Sequence, residues 1–280
     1  MFYLLKRIIQ MKILINNNDL NEALYSASNL GFVPTMGSLH KGHISLIKKS
    51  LQLCDKTIVS IFVNPTQFNS KKDYLKYPRN NKKDLSILRT LKVNYVFLPK
   101  IKDIYKFKRK SQIKLNKNDK ILCAKYRKGH FEGVIDVMDR LIKLIQPQKI
   151  FMGEKDFQQI FLLTKYINKD YRTKIIICKT IRDKNKLALS SRNSLLKKTD
   201  LIHAGNLAKK ITSFKKEMRK EKNIRKFFNI KKKELKKNFN ISIEYFDLRN
   251  LLTLKNTNKI KNSKIFIAYY LSKIRLIDNF

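Results

Sequence analysis

Over residues 30–178 short apolar runs alternate with stretches whose apolar residues recur at helical spacing, and few folds accommodate that alternation. LGFVPT (Leu30–Thr35) ends at a proline, as a buried strand does where its pairing stops. Ile44, Ile47 and Leu51 then follow a helical period, and 57–63 (TIVSIFV) is β-branched. A polar helix is expected over 81–91, a strand over 93–98, and a helix carrying the stripe Val134, Val137, Met138, Leu141, Ile142 and Ile145. A strand over 149–152, a helix from about 155 to 167 and the strand KIIIC over 174–178 complete the series. Repeated strand, helix and strand predict a parallel sheet covered on both faces.

Past residue 182 the texture changes. LALSSRNSLLKKTD leads into lysine-rich helices and then three strand candidates at 241–248, 264–271 and 274–277. The expected organisation is an α/β domain over 1–182 and a smaller α+β domain over 183–280, hinged to the first.

The chain carries 63 Lys and Arg against 21 Asp and Glu, a net charge of +42. Such a balance suits nucleic acid, because lysines that neutralise phosphates release counterions. The lysines are spread through every segment, however, and accompany abundant Asn and Ile, so drift toward AT-rich codons with a solvated surface accounts for them better. Even the densest run, 209–237, with 14 basic and 3 acidic residues, keeps Ile224, Phe227, Phe228 and Leu235 at the spacing of buried helix faces. No specific nucleic-acid partner is expected. Cys54, Cys123 and Cys178 are too far apart for a disulfide set or a zinc ladder, and a reducing, cytoplasmic setting fits. No apolar run reaches the ~20 residues of a membrane span. Lys6 and Arg7 interrupt the opening MFYLLKRIIQMK, which argues against a secretion signal. Met11 is a second candidate start, with residues 1–10 an upstream extension, and the intact mass of the native protein decides between the two.

Glycine is scarce, 7 of 280 residues, and five of the seven fall in three short segments that also carry His, Lys, Asp or Gln. PTMGSLHKGH (34–43) sits where a strand meets a helix start, a place that offers free N–H groups and a positive dipole end to an anion. Gly37 would let a nucleotide approach the backbone, and His40 and His43 would share one side of the first turn, as donors to phosphoryl oxygens. A metal-binding pair is the competing reading, but no third and fourth ligand can be assembled. In SIFVNPTQF (60–68), Asn64 and Gln67 suit a neutral polar group, while ordinary turn chemistry accounts for Asn64 as well. His130 in GHFEGV is either a cap or packing residue or a ligand contact. GEKDFQQ (153–159) again joins a strand to a helix: Lys155 suits phosphate, Gln159 lies a turn on, and Asp156 suits a helix start. Ser190, Ser191 and Arg192 in LALSSRN offer hydroxyls and a guanidinium to a polyphosphate on a loop able to close.

Taken in order, VPTMGSLHKGH, SIFVNPTQF, YPR (77–79), GHFEGV, GEKDFQQ, LALSSRN and RLIDN (275–279) resemble the pantoate–β-alanine ligases. These belong to the nucleotidyltransferase superfamily, which shares HxGH with class I aminoacyl-tRNA synthetases. The resemblance implies a Rossmann-like domain with a small C-terminal lid, a cytoplasmic homodimer, and small-molecule substrates. The implied reaction condenses pantoate with β-alanine, consuming ATP through a pantoyl-adenylate and releasing pyrophosphate and AMP. By this resemblance Met36, Gly37, Ser38, Leu39, His40, Lys41, Gly42 and His43 cradle ATP, with His43 the proton donor and His40 beside it. Gly153, Glu154, Lys155 and Asp156 also contact ATP, as do Leu189, Ser190, Ser191 and Arg192 on a KMSKS-like loop, and Ile181 meets adenine. The catalytic set implied is His40, His43, Lys155, Ser190, Ser191 and Arg192. Gln67, Gln159 and Asn64 would hold pantoate, Gln67 would also meet β-alanine, and Asp84 would contribute to magnesium on the phosphates. The nucleophiles come from substrates, so no serine or cysteine nucleophile is needed.

Lys41 stands where the family commonly has glutamate, Lys128 and Lys179 where it has proline, and Lys186 where a glycine precedes LALSSR. Lys186 is expected to stiffen the lid loop, and Lys41 to point to solvent. Two other readings compete: a nucleotidyltransferase that leaves the nucleotide on its product, and a nucleic-acid-binding protein driven by charge. Release of free AMP excludes the first, and binding that stays tight at high salt would favour the second.

Overall fold

The structure, a computed structural model, describes residues 10–105, 113–167 and 171–280. Residues 1–9 of the candidate upstream extension lie outside the described residues. Six parallel strands, β1 (Lys12–Leu14), β2 (Leu30–Thr35), β3 (Lys56–Ile61), β4 (Tyr95–Phe97), β5 (Lys149–Gly153) and β6 (Lys174–Cys178), form one sheet in the order β1-β4-β3-β2-β5-β6. A separate antiparallel sheet of β7 (Ser242–Asn250), β8 (Ser263–Leu271) and β9 (Ile274–Asn279) follows in the order β7-β8-β9. The fold is therefore α/β with a smaller α+β part at the C-terminal end.

The inner strands β2, β3, β4 and β5 are buried on both faces, as apolar runs allow, while the edge strands β1 and β6 are largely half-buried or exposed. Phe32, Ile58, Val59, Val96, Phe97 and Phe151 are all fully buried between helices on either side. The helix His130–Ile145 contributes the whole stripe from Val134 to Ile145 to the larger core. The helix expected from residue 155 starts at Phe157, because Glu154–Asp156 form a single 3-10 turn at the end of β5. The strand expected over 93–98 pairs only over Tyr95–Phe97, since Val93 N–H instead closes the preceding helix on Leu88 O at 3.2 Å. β1 and the helix Asn17–Leu24 were not foreseen; three paired residues at a sheet edge are too short a run to stand out in a pattern.

The C-terminal sheet divides its two faces by strand alternation. Phe266 and Ala268 join the core of the α/β part, while Ile265, Ile267, Tyr269 and Leu271 pack on Phe214, Phe227 and Phe228 of the helices Lys198–Glu217 and Ile224–Phe239. The lysine-rich helices thus bury one apolar face each, and Ile224, Phe227, Phe228 and Leu235 are buried as their spacing implies. Among the described residues no helix is long and apolar enough to cross a membrane.

Strand order locates the site. From β2 the chain proceeds to β3 on one side, and from β5 to β6 on the other, so β2 and β5 flank a switch point at which the carboxyl ends open a crevice. PTMGSLHKGH leaves β2 at that point and GEKDF leaves β5.

Candidate active site

The loop after β2 is held from beneath by a buried carboxylate. Asp84, on the helix Asn81–Thr90, is 1% exposed and accepts the backbone N–H of Ser38 through Oδ2 and of Leu39 through Oδ1, each at 2.8 Å. Thr35 Oγ1 accepts the Gly37 N–H at 3.1 Å and donates to Ser60 O at 2.7 Å. Gly37 turns with φ +78°, and a Cβ there would press on Asp84 Oδ2 at 3.0 Å. This glycine makes room for the loop's own support, whereas the sequence suggested room for a nucleotide. Asp84, expected to contribute to a metal site, has both oxygens committed to the loop and does not line the cavity.

The histidine pair caps the helix Lys41–Leu53. His40 Nδ1 accepts the Gly42 N–H at 3.1 Å, and His43 Nδ1 accepts the His40 N–H at 3.3 Å, with ring centroids 4.1 Å apart. A Cβ on Gly42 would lie 2.8 Å from His40 Cε1, so the second glycine makes space for the imidazole cap. Because both Nδ1 atoms accept, the proton of each neutral ring sits on Nε2. Burial and then the Lys155 charge lower the His40 pKa to about 4; burial, then His40 and Lys155, lower that of His43 to about 3. Both rings are neutral at pH 7, and each presents one N–H donor.

A cavity of about 280 Å³ opens beside them. It is lined by Met36, His40, Gly42 and His43 from the first loop, Asn64 and Gln67 from the turn after β3, Gly153, Lys155, Asp156 and Gln159 after β5, and Ile181, Leu189, Ser190, Ser191 and Arg192 from the later loop. Six other expected contacts do not line it: Gly37, Ser38 and Leu39 lie over Asp84, Lys41 is exposed, Glu154 pairs with Lys264, and Asp84 is buried. Among the described residues no group of three or more His, Cys, Asp or Glu is placed to hold a metal ion, and the three cysteines are free.

Asn64, expected to hold pantoate, is 1% exposed and spends its side chain on the protein. Its Oδ1 accepts from Thr66 N at 3.2 Å and from the Tyr105 hydroxyl at 2.8 Å, while its Nδ2 donates to Gln67 Oε1 at 3.2 Å and Gly133 O at 3.1 Å. It sets the turn and the Gln67 side chain, the turn-chemistry alternative for this residue. Gln67 in turn donates from Nε2 to Met36 Sδ at 2.8 Å, joining the two loops.

Several cavity residues were not singled out for roles in the sequence: Tyr77, Arg127, Arg275 and Asp278. Tyr77 and RLIDN lay in motifs that carried the resemblance, but Arg127 is one basic residue among 63. The C-terminal strand β9 acts as a clamp. Asn279, 2% exposed, donates from Nδ2 to Glu154 O at 2.8 Å and Lys155 O at 3.0 Å, so it holds the turn that carries Lys155. Asp278 next to it takes both arms of Arg182, at 2.6 and 2.9 Å, and Arg182 also donates to Lys186 O at 3.0 Å. The same strand thereby anchors the later loop, where Leu189 N–H returns to Ile181 O at 3.0 Å and Ser191 Oγ donates to Ser38 O at 3.4 Å.

Lys186 is held at φ +74°, the left-handed region that glycine adopts freely. Lysine there is strained whatever its side chain does, which in this case is to point outward. Lys186→Gly is expected to raise stability by about 1 kcal/mol, the scale of the left-handed penalty less glycine's own entropy. Urea unfolding of the two proteins measures it, and an unchanged or lower midpoint would mean that the loop carries no such strain.

Known proteins match this sequence and fold. The family model described as Pantoate-beta-alanine ligase matches residues 7–280. The pantothenate synthetase of Endomicrobium trichonymphae is 41% identical over 280 residues, covering 96% of this chain and 97% of the relative. That of Clostridium botulinum (strain ATCC 19397 / Type A) is 40% identical over 255 residues, covering 90% and 91%. Among solved structures, pantothenate synthetase from Thermus thermophilus superposes with a TM-score of 0.90 at 28% identity, covering 96% of this chain and 99% of that one. The ligase from Francisella tularensis, solved with Beta-gamma ATP and β-alanine, gives 0.80 at 38% identity, covering 97% of each. With its full sheet order, its switch-point cavity and a match of this extent, the chain belongs to the pantoate–β-alanine ligase family.

Proposed function

We propose that this chain joins pantoate to β-alanine at the expense of ATP, in two steps within the one cavity. The observation that carries the reading is the convergence of two neutral imidazole donors, Lys155 and the Ser190–Arg192 turn on a crevice at the β2/β5 switch point. Such a set of fixed donors stabilises charge that develops on phosphoryl oxygens, and it contains nothing that must act as a nucleophile.

In the first step a pantoate carboxylate oxygen attacks the α-phosphorus of ATP, the bond to the β-phosphate oxygen breaks, and pyrophosphate leaves with its electron pair. His40 and His43 donate from Nε2 to the phosphoryl oxygens, and Lys155 adds a fixed positive charge. With pKa values this low, His43 acts as a neutral hydrogen-bond donor, so the proton-donor label implied by the resemblance is better read in that sense. Gln67 and Gln159 hold pantoate from two walls, and Asn64 acts through Gln67. In the second step the neutral amine of β-alanine attacks the acyl carbon, the acyl–oxygen bond to the phosphate breaks, and AMP leaves while the nitrogen loses a proton to solvent. The part of the chain past residue 182 serves as the lid, with β9 as its link to the Lys155 turn.

Magnesium is part of the expected chemistry, as a charge on the phosphates. The side chains present do not make a dedicated site for it: Asp84 is committed to the loop, and Asp156, at the cavity wall, pairs with Lys155 at 3.0 Å. A magnesium ion on the phosphates would therefore be held by phosphate oxygens and water more than by side chains.

The test is ATP–pyrophosphate exchange. It is expected to depend on pantoate and to proceed without β-alanine, and addition of β-alanine should release one AMP for each pantothenate. Exchange that ignores pantoate, or a nucleotide retained on the product, would overturn the reading.

A further inference from the structure

Arg127 lines the cavity, and no carboxylate among the described residues balances its charge. Its NH1 donates to His130 Nε2 at 2.8 Å and its NH2 reaches Gln67 O at 3.4 Å. For His130 Nε2 to accept, the ring must be neutral with its proton on Nδ1, and Nδ1 indeed lies 2.7 Å from Gln67 O, the distance of a donated hydrogen bond. Burial and then the Arg127 charge lower the His130 pKa to about 3, in keeping with that tautomer. The guanidinium is thereby fixed to the backbone of Gln67. Two of its five N–H donors have these protein acceptors, and the side chain lines the cavity.

Two of the other cations at this end are matched. Arg275 is balanced by Glu244 at 2.7 Å, and Lys155 by Asp156 at 3.0 Å. Arg192, which also has no carboxylate partner among the described residues, belongs to the turn whose Ser191 touches the histidine loop and so lies on the phosphate side of the proposed site. Burial first, then the charges of Arg192 and Arg275, lower the Arg127 pKa to about 10, against opposing effects of Cys123 and Asp73. It remains a cation at pH 7. Holding an unmatched guanidinium among like charges is unfavourable unless an anion completes it.

The reaction brings three anionic groups to the cavity. The phosphates have the imidazole pair, Lys155 and the Ser190–Arg192 turn. Pantoate's carboxylate loses its charge in the first step, so a dedicated guanidinium would stabilise the ground state and oppose adenylation. β-Alanine's carboxylate stays charged throughout and lies at the end of the molecule remote from the reacting nitrogen, so a fixed cation there costs nothing in either step.

We propose that Arg127 binds the β-alanine carboxylate and so selects an amino acid over other amines, with His130 as the positioning residue that holds the guanidinium toward the cavity. The assignment rests on the ligase reading.

Arg127→Gln and Arg127→Lys in the full chain test it, through pantoate-dependent exchange, the KM for β-alanine, and the kcat/KM for β-alanine relative to propylamine, which has a methyl group in place of the carboxylate. In Arg127→Gln the β-alanine KM is expected to rise on the order of 100-fold, the scale of truncating one partner of a desolvated charge pair. The preference over propylamine should fall by a similar factor, while exchange changes by less than about fivefold. Arg127→Lys, with the charge but not the fork, should fall between, and it carries the comparison should Arg127→Gln fail to fold. Exchange lost in proportion to the overall reaction would assign Arg127 to the phosphates or pantoate and overturn the proposal. A preference for β-alanine that survives both substitutions would do the same. If the unsubstituted protein shows no pantoate-dependent exchange, the ligase reading fails first and this assignment with it.

Discussion

His43→Ala is expected to lower turnover by a factor on the order of 100 to 1,000, the effect of removing one fixed donor from a charge-developing transition state. The imidazole does two things at once. Its Nδ1 accepts the His40 N–H at the start of the helix Lys41–Leu53, and its Nε2–H is left for the cavity. Loss of the cap alone costs about 1 kcal/mol of stability, so a folded variant that exchanges pyrophosphate slowly separates the two roles. His43→Asn, whose side chain can still accept from the helix start, is expected to recover stability without recovering the rate. Turnover unchanged in His43→Ala would remove the assigned role. The pH dependence follows from the same burial. With His40 near 4 and His43 near 3, neither ring titrates at the ordinary histidine value, and the rate of exchange should show no acid limb from them until the pH falls below about 5. Stability responds earlier. In the unfolded chain the same rings take up protons as the pH falls through about 6.5, so stability is full above that pH and is lost progressively down to about pH 3.

Asp84→Ala is expected to destabilise the protein by about 2–4 kcal/mol, because it leaves the N–H groups of Ser38 and Leu39 without their buried acceptor. It should also reduce turnover, since the loop it supports leads directly into His40. Asp84→Asn keeps one acceptor oxygen but turns an amide N–H toward the second donor, and is expected to be intermediate. Urea unfolding with and without magnesium distinguishes the support from a metal ligand: the loss should be the same in both. A variant of unchanged stability whose activity needs far more magnesium would restore the metal role.

Much of the fold was legible because burial imposes a period. β2, β3 and β5 read as apolar runs since both of their faces are covered, KIIIC at the β6 edge reads as one although its residues are half-buried or exposed, and the stripe from Val134 to Ile145 marked a helix with one buried side. β1 escaped because three residues at an edge hold no period. Within the site, the segments that would meet substrate were legible as clusters of rare residues, glycine and histidine in a lysine-rich background. The division of labour inside those segments was not. Asn64 and Asp84 look like ligands in a linear chain, and only the backbone groups folded around them reveal that their oxygens are already used.

By itself, then, the sequence determined the parallel α/β architecture, the position of the candidate site at the strand ends, and the order of motifs that marks the family, since each depends on residues near one another in the chain. Tertiary structure decided what depends on distant partners. The protonation of His40 and His43 follows from burial beside Lys155, the loop's support from a carboxylate 46 residues away, and the grip of Asn279 on the Lys155 turn from a contact across 124 residues. The unmatched charge of Arg127 is of the same kind, because a net charge at one point of a cavity is a sum over neighbours that only folding assembles.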